Sequence, residues 1–161
     1  MPIEMTIKSL MVDPVTNMPI VVLRDDEGDR VLPIWVGVFE ANAIALQIEN
    51  VAPARPMTHD LLRNVIEALD ATVERVVVYD LRENTFYARI FLHVSGEPRV
   101  IDARPSDAIA LALRVRAPIF VEEDVINNAK GLDVQPEKGD AERLQKWLES
   151  LDPDDLGKYK M

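Results

Sequence analysis

Hydrophobic and polar residues alternate along three stretches at the start of the chain. They cover residues 3–12, 18–26 and 30–36, and a turn-forming DEGD sequence precedes the third. Alternation with a period of two predicts half-buried strands. Pro33 falls inside the third stretch, which indicates that this strand lies at a sheet edge or ends early, because proline cannot donate to a ladder.

A second set of three alternating stretches follows at residues 72–81, 85–94 and 98–103, with turn sequences RENT and SGEP between them. Apolar residues at helical spacing come after each set, at 38–50 and at 105–116, and a short strand is predicted from Pro118. Between the sets, residues 58–69 predict an additional helix. Its expected buried stripe comprises Leu61, Leu62, Val65, Ile66 and Leu69.

The order of three strands and a helix therefore occurs twice, about 65 residues apart, with NAIAL at Asn42–Leu46 matching DAIAL at Asp107–Leu111. We predict an α+β fold built from an internally duplicated unit of three antiparallel strands plus helix. An extra helix lies between the repeats and a further helix near the C-terminus. The segment Ala108–Val115 is apolar on almost every side, which predicts burial all round.

The chain divides at about residue 126. Residues 1–126 form the predicted domain, and residues 127–161 begin with a polar, turn-rich hinge. A short amphipathic helix follows, before a polar tail, and its apolar positions are Leu144, Trp147, Leu148 and Leu151.

Composition narrows the functional classes. The 161 residues are 48% hydrophobic and contain no cysteine, which excludes disulfides, thiolate nucleophiles and zinc–thiolate sites. We expect no signal peptide and no membrane-spanning helix, and therefore a cytoplasmic protein. The net charge is −10, and neither residues 1–121 nor 122–161 is basic. A general nucleic-acid-binding surface is normally basic, so nucleic acid would need a local patch.

Several motifs occur in a characteristic order: LPIWVGVFEANAIAL, RPMTHDLL, TFYARI, ARPSDAIALALR and PIFVEE. Over residues 3–126 the chain resembles the bifunctional nuclease domain family. The resemblance implies a duplicated α+β domain, often dimeric, in a family named after plant members that degrade RNA and DNA. Some members carry a C-terminal module related to DNA-repair proteins, a pattern that this chain's tail does not show. The resemblance supplies no catalytic residues.

Phosphodiester hydrolysis needs a nucleophile, a proton acceptor and positive charge on the phosphate. Two Arg-Pro junctions that open helices are the candidate site, and we expect them to face each other across a cleft. The candidate catalytic residues are His59, Asp60, Asp102 and Asp107. Substrate-binding candidates are Arg55, Arg104 and Ser106. If Mg²⁺ or Mn²⁺ assists, its predicted ligands are Glu40, Asp102 and Asp107.

Structural roles explain the same residue types. First-turn carboxylates stabilise helices, and Thr58 and Ser106 are ordinary N-cap residues. Arg55 and Arg104 can bridge to these aspartates, and a first-turn histidine such as His59 is more often exposed than catalytic. Two hypotheses stay open: a metal-assisted nuclease acting on RNA or DNA, or a non-catalytic module that recognises an anionic ligand or a protein partner. We expect a homodimer, because the apolar helix and the amphipathic tail helix together present more apolar surface than one small domain can cover.

Overall fold

The computed structural model describes residues 1–129. Within them lie seven strands and four helices, in the order β1 (Pro2–Val12), β2 (Pro19–Asp25), β3 (Val31–Trp35), α1 (Val38–Ile48), α2 (Thr58–Ala68), β4 (Ala71–Arg82), β5 (Thr85–Val94), β6 (Glu97–Ala103), α3 (Pro105–Val115), β7 (Ile119–Glu122) and α4 (Glu123–Asn128). The predicted α+β class is confirmed. Three strands followed by a helix occur twice, with α2 between the two units.

All seven strands form one sheet in the order β3-β2-β1-β7-β4-β5-β6. Each unit is an antiparallel meander, and β7 lies between them, antiparallel to β1 and parallel to β4. The two units therefore mirror each other in strand order about β7. Strand β3 is an edge strand, as Pro33 predicted.

Two tight turns shape the second meander. Glu83 and Asn84 join β4 to β5 with φ values of 50° and 63°, and Ser95 and Gly96 join β5 to β6 with 54° and 79°. Two consecutive residues with positive φ are typical of the hairpin turns whose twist matches that of the flanking strands. Both turns fall where the sequence predicted them.

Helix α3 lies at the centre of the core. It packs on β4 and β5 and contacts both α1 and α2. The five residues from Ala108 to Ala112 are at most 1% exposed, which confirms the predicted burial for this part of the segment, whereas Leu113 and Val115 are half-buried. Because α3 is enclosed in this way, charged residues at its two ends must be paired or reach solvent.

The predicted buried stripe of α2 is wrong. Leu61, Leu62, Val65 and Leu69 are 39–67% exposed, and His59 is the buried residue of this helix. Helix α2 packs on α3 and on β4, and Ile66 of the predicted stripe is partly buried against the core, but the rest of its apolar face is exposed within residues 1–129.

The two edges of the sheet come together in space. A flat sheet of seven strands at about 4.8 Å spacing would separate its edge strands by roughly 29 Å. Arg104, just after edge strand β6, nevertheless hydrogen-bonds to Glu40, five residues after edge strand β3. The sheet must therefore twist and curve strongly, and this curvature brings together the helices that follow its edges.

The predicted domain boundary at residue 126 falls inside α4, where Val125, Ile126 and Ala129 are buried. The described residues beyond 126 therefore pack on the core, and the division of the chain at residue 126 stays a prediction. The predicted hinge, amphipathic helix and tail lie outside the described residues. No helix in the described part of the chain combines the length and apolar character needed to cross a membrane.

Candidate active site at three helix starts

The beginnings of α1, α2 and α3 meet at one place. Glu40 is the third residue of α1, His59 is the second of α2, and Asp107 is the third of α3. Arg104 immediately precedes α3. We call these four residues the helix-start cluster.

Hydrogen bonds join the cluster into one network. His59 Nε2 lies 2.8 Å from Asp107 Oδ1. The guanidinium of Arg104 donates to Asp107 Oδ2 from Nε at 2.9 Å and to Glu40 Oε1 from Nη2 at 2.6 Å. These two carboxylates raise the pKa of Arg104, that of Glu40 having the larger effect. Hydrogen bonds between residues up to 64 positions apart thus form one charged site.

Burial differs sharply within the cluster. His59 is 8% exposed, which contradicts the expectation of an exposed first-turn residue. The start of α2 packs against α3, so the imidazole is enclosed and takes Asp107 as its polar partner. By contrast, 66% of the Arg104 side chain is accessible to solvent. The cluster therefore has a buried acid–base side and an open cationic side.

Gly37 provides the space in which the Glu40 carboxylate lies. A Cβ atom at Gly37 would overlap Oε2 of Glu40, although the backbone there (φ −71°, ψ 159°) suits any residue. Glycine is therefore required for the position of the Glu40 side chain and not for backbone conformation. The same glycine leaves the backbone open to the neighbouring pocket.

Asp60 belongs to a different network. Its carboxylate accepts a hydrogen bond from the Met57 backbone N–H at 3.0 Å and another from Arg114 Nε at 2.7 Å. Burial would raise the pKa of Asp60, but these two donors outweigh it, and the pKa lies below its usual value. Asp60 thus caps the first turn of α2, and Met57, not Thr58, occupies the N-cap position.

Arg114 is the residue that sequence reasoning missed. Its side chain is 2% exposed and donates to Asp60 Oδ1 and to the backbone carbonyls of Ala43 and Ala110. It therefore connects α1, α2 and α3. A signal was present, since Arg114 is two helical turns after Asp107 and is the one charged residue within the apolar segment Ala108–Val115.

The remaining candidates occupy other places. Asp102 lies on the exposed edge strand β6, and no hydrogen bond within residues 1–129 joins its side chain to the cluster. Ser106 is buried and is the second residue of α3, so it is not the N-cap residue either. Arg55 is exposed in the loop before α2, without an ion pair to any described carboxylate. The two Arg-Pro junctions therefore contribute to the cluster through His59, Arg104 and Asp107.

A pocket of about 510 Å³ opens beside the cluster. Arg104, Ser106 and Gly37 line it on the cluster side, and the half-buried residues Trp35 and Phe86 also line it. The indole N–H of Trp35 donates to Asp13 Oδ2 at 3.0 Å, which fixes the ring. The pocket thus combines an exposed guanidinium with two aromatic residues in its lining.

The cluster as arranged fits a guanidinium better than a divalent ion. Within residues 1–129, no three His, Asp or Glu side chains converge on a point that an ion could occupy. Arg104 bonds to both Glu40 and Asp107, so a cation shared by these carboxylates would have to displace it. Mg²⁺ or Mn²⁺ binding by Glu40, Asp102 and Asp107 stays a prediction.

The chain is similar to proteins of one family. A family model described as the bifunctional nuclease domain matches residues 21–133. An uncharacterized protein of Mycobacterium tuberculosis is 41% identical, over 95% of this chain and 97% of its own length. Bifunctional nuclease 2 of Oryza sativa subsp. japonica is 30% identical over 73% of the chain, and bifunctional nuclease 1 of Arabidopsis thaliana is 30% identical over 65%.

The chain spans 38% of the length of the Oryza protein and 34% of the Arabidopsis protein, so most of each plant sequence has no counterpart in the matched region. The Mycobacterium relative, in contrast, matches along nearly its whole length. Together with the family model, which covers more than half of the chain, these similarities show that the chain belongs to the bifunctional nuclease domain family.

Proposed function

We propose that this protein hydrolyses phosphodiester bonds of nucleic acid at the helix-start cluster. The observation that carries the proposal is the network itself, in which a buried histidine is bonded to a half-buried carboxylate and, through it, to an exposed arginine beside a pocket. Proton transfer and phosphate binding require these two kinds of group close together. Membership of a family named for nucleases supports the reaction class.

Arg104 is proposed to bind the scissile phosphate. A guanidinium matches two phosphate oxygens with parallel N–H donors, and most of this side chain is open to solvent. Glu40 and Asp107 hold its orientation before substrate arrives. As water attacks phosphorus and the P–O bond to the leaving group breaks, Arg104 would neutralise the negative charge that develops on the phosphoryl oxygens, and the leaving oxygen takes its proton from solvent.

His59 is proposed to accept the proton of the attacking water. With Nε2–H donating to Asp107, the neutral imidazole carries its lone pair on Nδ1, and the carboxylate stabilises the imidazolium that forms. The tautomer follows from this hydrogen bond, since a carboxylate accepts and does not donate. Asp107 acts as the orienting residue, since it touches both His59 and Arg104.

The pocket beside Arg104 is proposed to hold a base of the substrate. Trp35 and Phe86 offer π-faces on which a nucleobase can stack, a contact that tolerates all bases. Because the net charge of the chain is −10, binding depends on this local combination of arginine and aromatic rings rather than on a general basic surface.

The test uses the two histidines of the chain as a matched pair. His93 resembles His59 because its Nε2 also bonds to a carboxylate, that of Glu74 at 3.0 Å. It differs because it lies on β5, where 43% of its side chain is exposed. Highly purified wild type, His59→Ala and His93→Ala are assayed on single-stranded RNA and DNA. We expect activity to fall on the order of 100-fold or more in His59→Ala and to be unchanged in His93→Ala.

Two further experiments decide the remaining alternatives, one on the metal requirement and one on Asp102. Assays with Mg²⁺, Mn²⁺ and EDTA measure the metal requirement, and Asp102→Asn tests the predicted ligand that lies apart from the cluster. Equal activity in wild type and His59→Ala would contradict the proposed site. No hydrolysis in any condition, with nucleic acid still bound, would favour the non-catalytic binding module, to which the acidic charge of the chain also points.

We also propose a homodimer that covers the apolar face of α2. Monomeric proteins seldom expose several neighbouring large apolar residues, and a second copy is the commonest partner in symmetric assemblies. Light scattering is expected to give twice the 18.1 kDa chain mass. Leu61→Glu should yield the monomer, whereas Val15→Glu, an exposed apolar residue in the β1–β2 connection, should not. A monomeric wild type would refute the dimer.

A further inference from the structure

A second pocket, which the proposed reaction does not use, lies where the loop between α1 and α2 passes the end of α3. Its volume is about 390 Å³. Residues 50–56 form one wall, and the other walls come from Leu46, Asp60, Arg63 and Arg114. We call it the loop pocket. A volume of this size suits a small ligand such as a mononucleotide.

The charge of the loop pocket is opposite to that of the whole chain. Three arginines line it, Arg55, Arg63 and Arg114, against one carboxylate, that of Asp60. Asp60 is already bonded to Arg114 at 2.7 Å, so these two charges compensate each other. Two cationic side chains remain, in a protein whose net charge is −10.

Neither remaining arginine forms a direct ion pair in the described part of the chain, although Arg63 is close enough to Asp60 to help lower the pKa of that carboxyl. Arg63 contacts the amide oxygen of Asn64 at 3.3 and 3.4 Å, a neutral partner, and Arg55 has no ion pair there. Arg114 differs, since it is buried and its donors are directed at protein acceptors. Arg55 and Arg63 are therefore available to a ligand, while Arg114 holds the wall of the pocket.

The loop that carries Arg55 is conformationally restricted. Pro53 and Pro56 fix φ at two of its positions, and Pro56 also restricts the backbone of Arg55 itself. Arg63 projects from the second turn of α2, a rigid element. Restricting the backbone on both sides of a site lowers the entropy lost when a ligand is bound.

We propose that the loop pocket binds a phosphate monoester of about mononucleotide size, with the phosphate held by Arg55 and Arg63. A monoester phosphate carries close to two negative charges at neutral pH and several acceptor oxygens, which match two guanidinium groups. A ligand carboxylate carries one negative charge and would be matched by a single guanidinium group. This inference does not rest on the proposed function, because a phosphate monoester is not a phosphodiester substrate.

The test is titration calorimetry with adenosine 5′-monophosphate as the probe, beside adenosine and inorganic phosphate. Wild type is compared with the double variant Arg55→Gln/Arg63→Gln and with Arg99→Gln, an exposed arginine on β6, as the control. We expect the nucleotide to bind wild type and Arg99→Gln equally and the double variant at least tenfold more weakly. Inorganic phosphate should compete with it, and adenosine, which lacks the phosphate, should bind wild type and the double variant alike.

Arg104→Gln separates the loop pocket from the helix-start cluster. In Arg104→Gln, which also removes the phosphate contact proposed at the cluster, the binding event that depends on Arg55 and Arg63 is expected to keep its affinity, since Arg104 does not line the loop pocket. Loss of binding in Arg104→Gln with retention in the double variant would overturn the proposal and assign the ligand to the cluster. Equal binding of adenosine and its monophosphate, or no binding of the monophosphate at millimolar concentration, would also overturn it. Thermal unfolding of the double variant near that of wild type shows that any loss is not unfolding.

Discussion

Two arginines at opposite ends of α3 differ in burial, and this difference determines which of them can bind a ligand. Arg104 precedes α3 and Arg114 lies in its last turn, and both bond to carboxylates. The side chain of Arg104 is 66% exposed, whereas that of Arg114 is 2% exposed. Both side chains bond to carboxylates, so their exposure makes the difference. The exposed guanidinium can bind a ligand, whereas the buried one can only stabilise the fold.

Each arginine connects different parts of the three helices. Arg114 reaches Asp60 on α2 and the carbonyls of Ala43 on α1 and Ala110 on α3, so every bond fixes helix against helix. Arg104 reaches the side chains of Glu40 and Asp107. The buried arginine thus sets the relative positions of the helices whose first turns present the cluster.

Replacing the buried arginine should have the largest effect on stability. In Arg114→Met, the Asp60 carboxylate keeps its charge without its partner and two arginine–carbonyl bonds are lost, so we expect the free energy of unfolding to fall by about 3–5 kcal/mol. Urea denaturation measures this loss. Arg116→Met, an exposed neighbour, is the control and should change little. A loss below about 1 kcal/mol in Arg114→Met would mean that the ion pair does not hold the helices.

Asp60→Asn should have a smaller and pH-dependent effect. We expect a loss of about 1–3 kcal/mol at neutral pH, because the amide replaces a charged acceptor of two hydrogen bonds. Since folding lowers the pKa of Asp60, its ionised form contributes stability above the unfolded value of about 3.9, and that contribution is lost as pH falls through the folded pKa. The difference between wild type and variant should therefore narrow below about pH 4. A constant gap in urea denaturation between about pH 6 and pH 3 would contradict this assignment.

Replacing the exposed arginine should separate activity from stability. In Arg104→Ala we expect unfolding free energy to change by less than about 1 kcal/mol, since solvent screens the pairs that it makes. Phosphodiester hydrolysis should fall on the order of 100-fold, the usual loss when one stabilising donor is removed. Arg82→Ala removes an equally exposed arginine bonded to Asp80 and should leave hydrolysis unchanged. Parallel losses in the two variants would show a general charge effect.

Local patterns predicted much of the fold. The strands of both meanders, their turns and the buried helix α3 follow from alternation, turn-forming residues and an apolar run, which depend on neighbours within a few residues. The exposed face of α2 was predicted wrongly from the same kind of pattern. An amphipathic stripe shows that a surface must be covered, but it does not say by which element.

The four residues of the helix-start cluster were candidates from the sequence, but the contacts among them were not predicted. His59, Arg104, Asp107 and Glu40 were candidates because of their types, while their contacts depend on the curvature that brings the sheet edges together. That curvature is a property of seven strands and has no short sequence signature. The pairing of Asp60 with Arg114 was missed for the same reason, because 54 residues separate them.

Gly37→Ala should have the smallest effect on stability and still alter the site. Alanine fits the backbone at this position. Its lower entropy in the unfolded state offsets the cost of displacing the flexible Glu40 carboxylate, so we expect the free energy of unfolding to change by no more than about 0.5 kcal/mol. The new methyl group must move Oε2 of Glu40, which weakens the bond that orients Arg104, and hydrolysis should fall about tenfold. The measurement is a double-mutant cycle with Glu40→Ala, in which Gly37→Ala should cause no additional loss because the carboxylate is already absent. Additive losses would show that Gly37 acts on the neighbouring pocket directly and not through the Glu40 carboxylate.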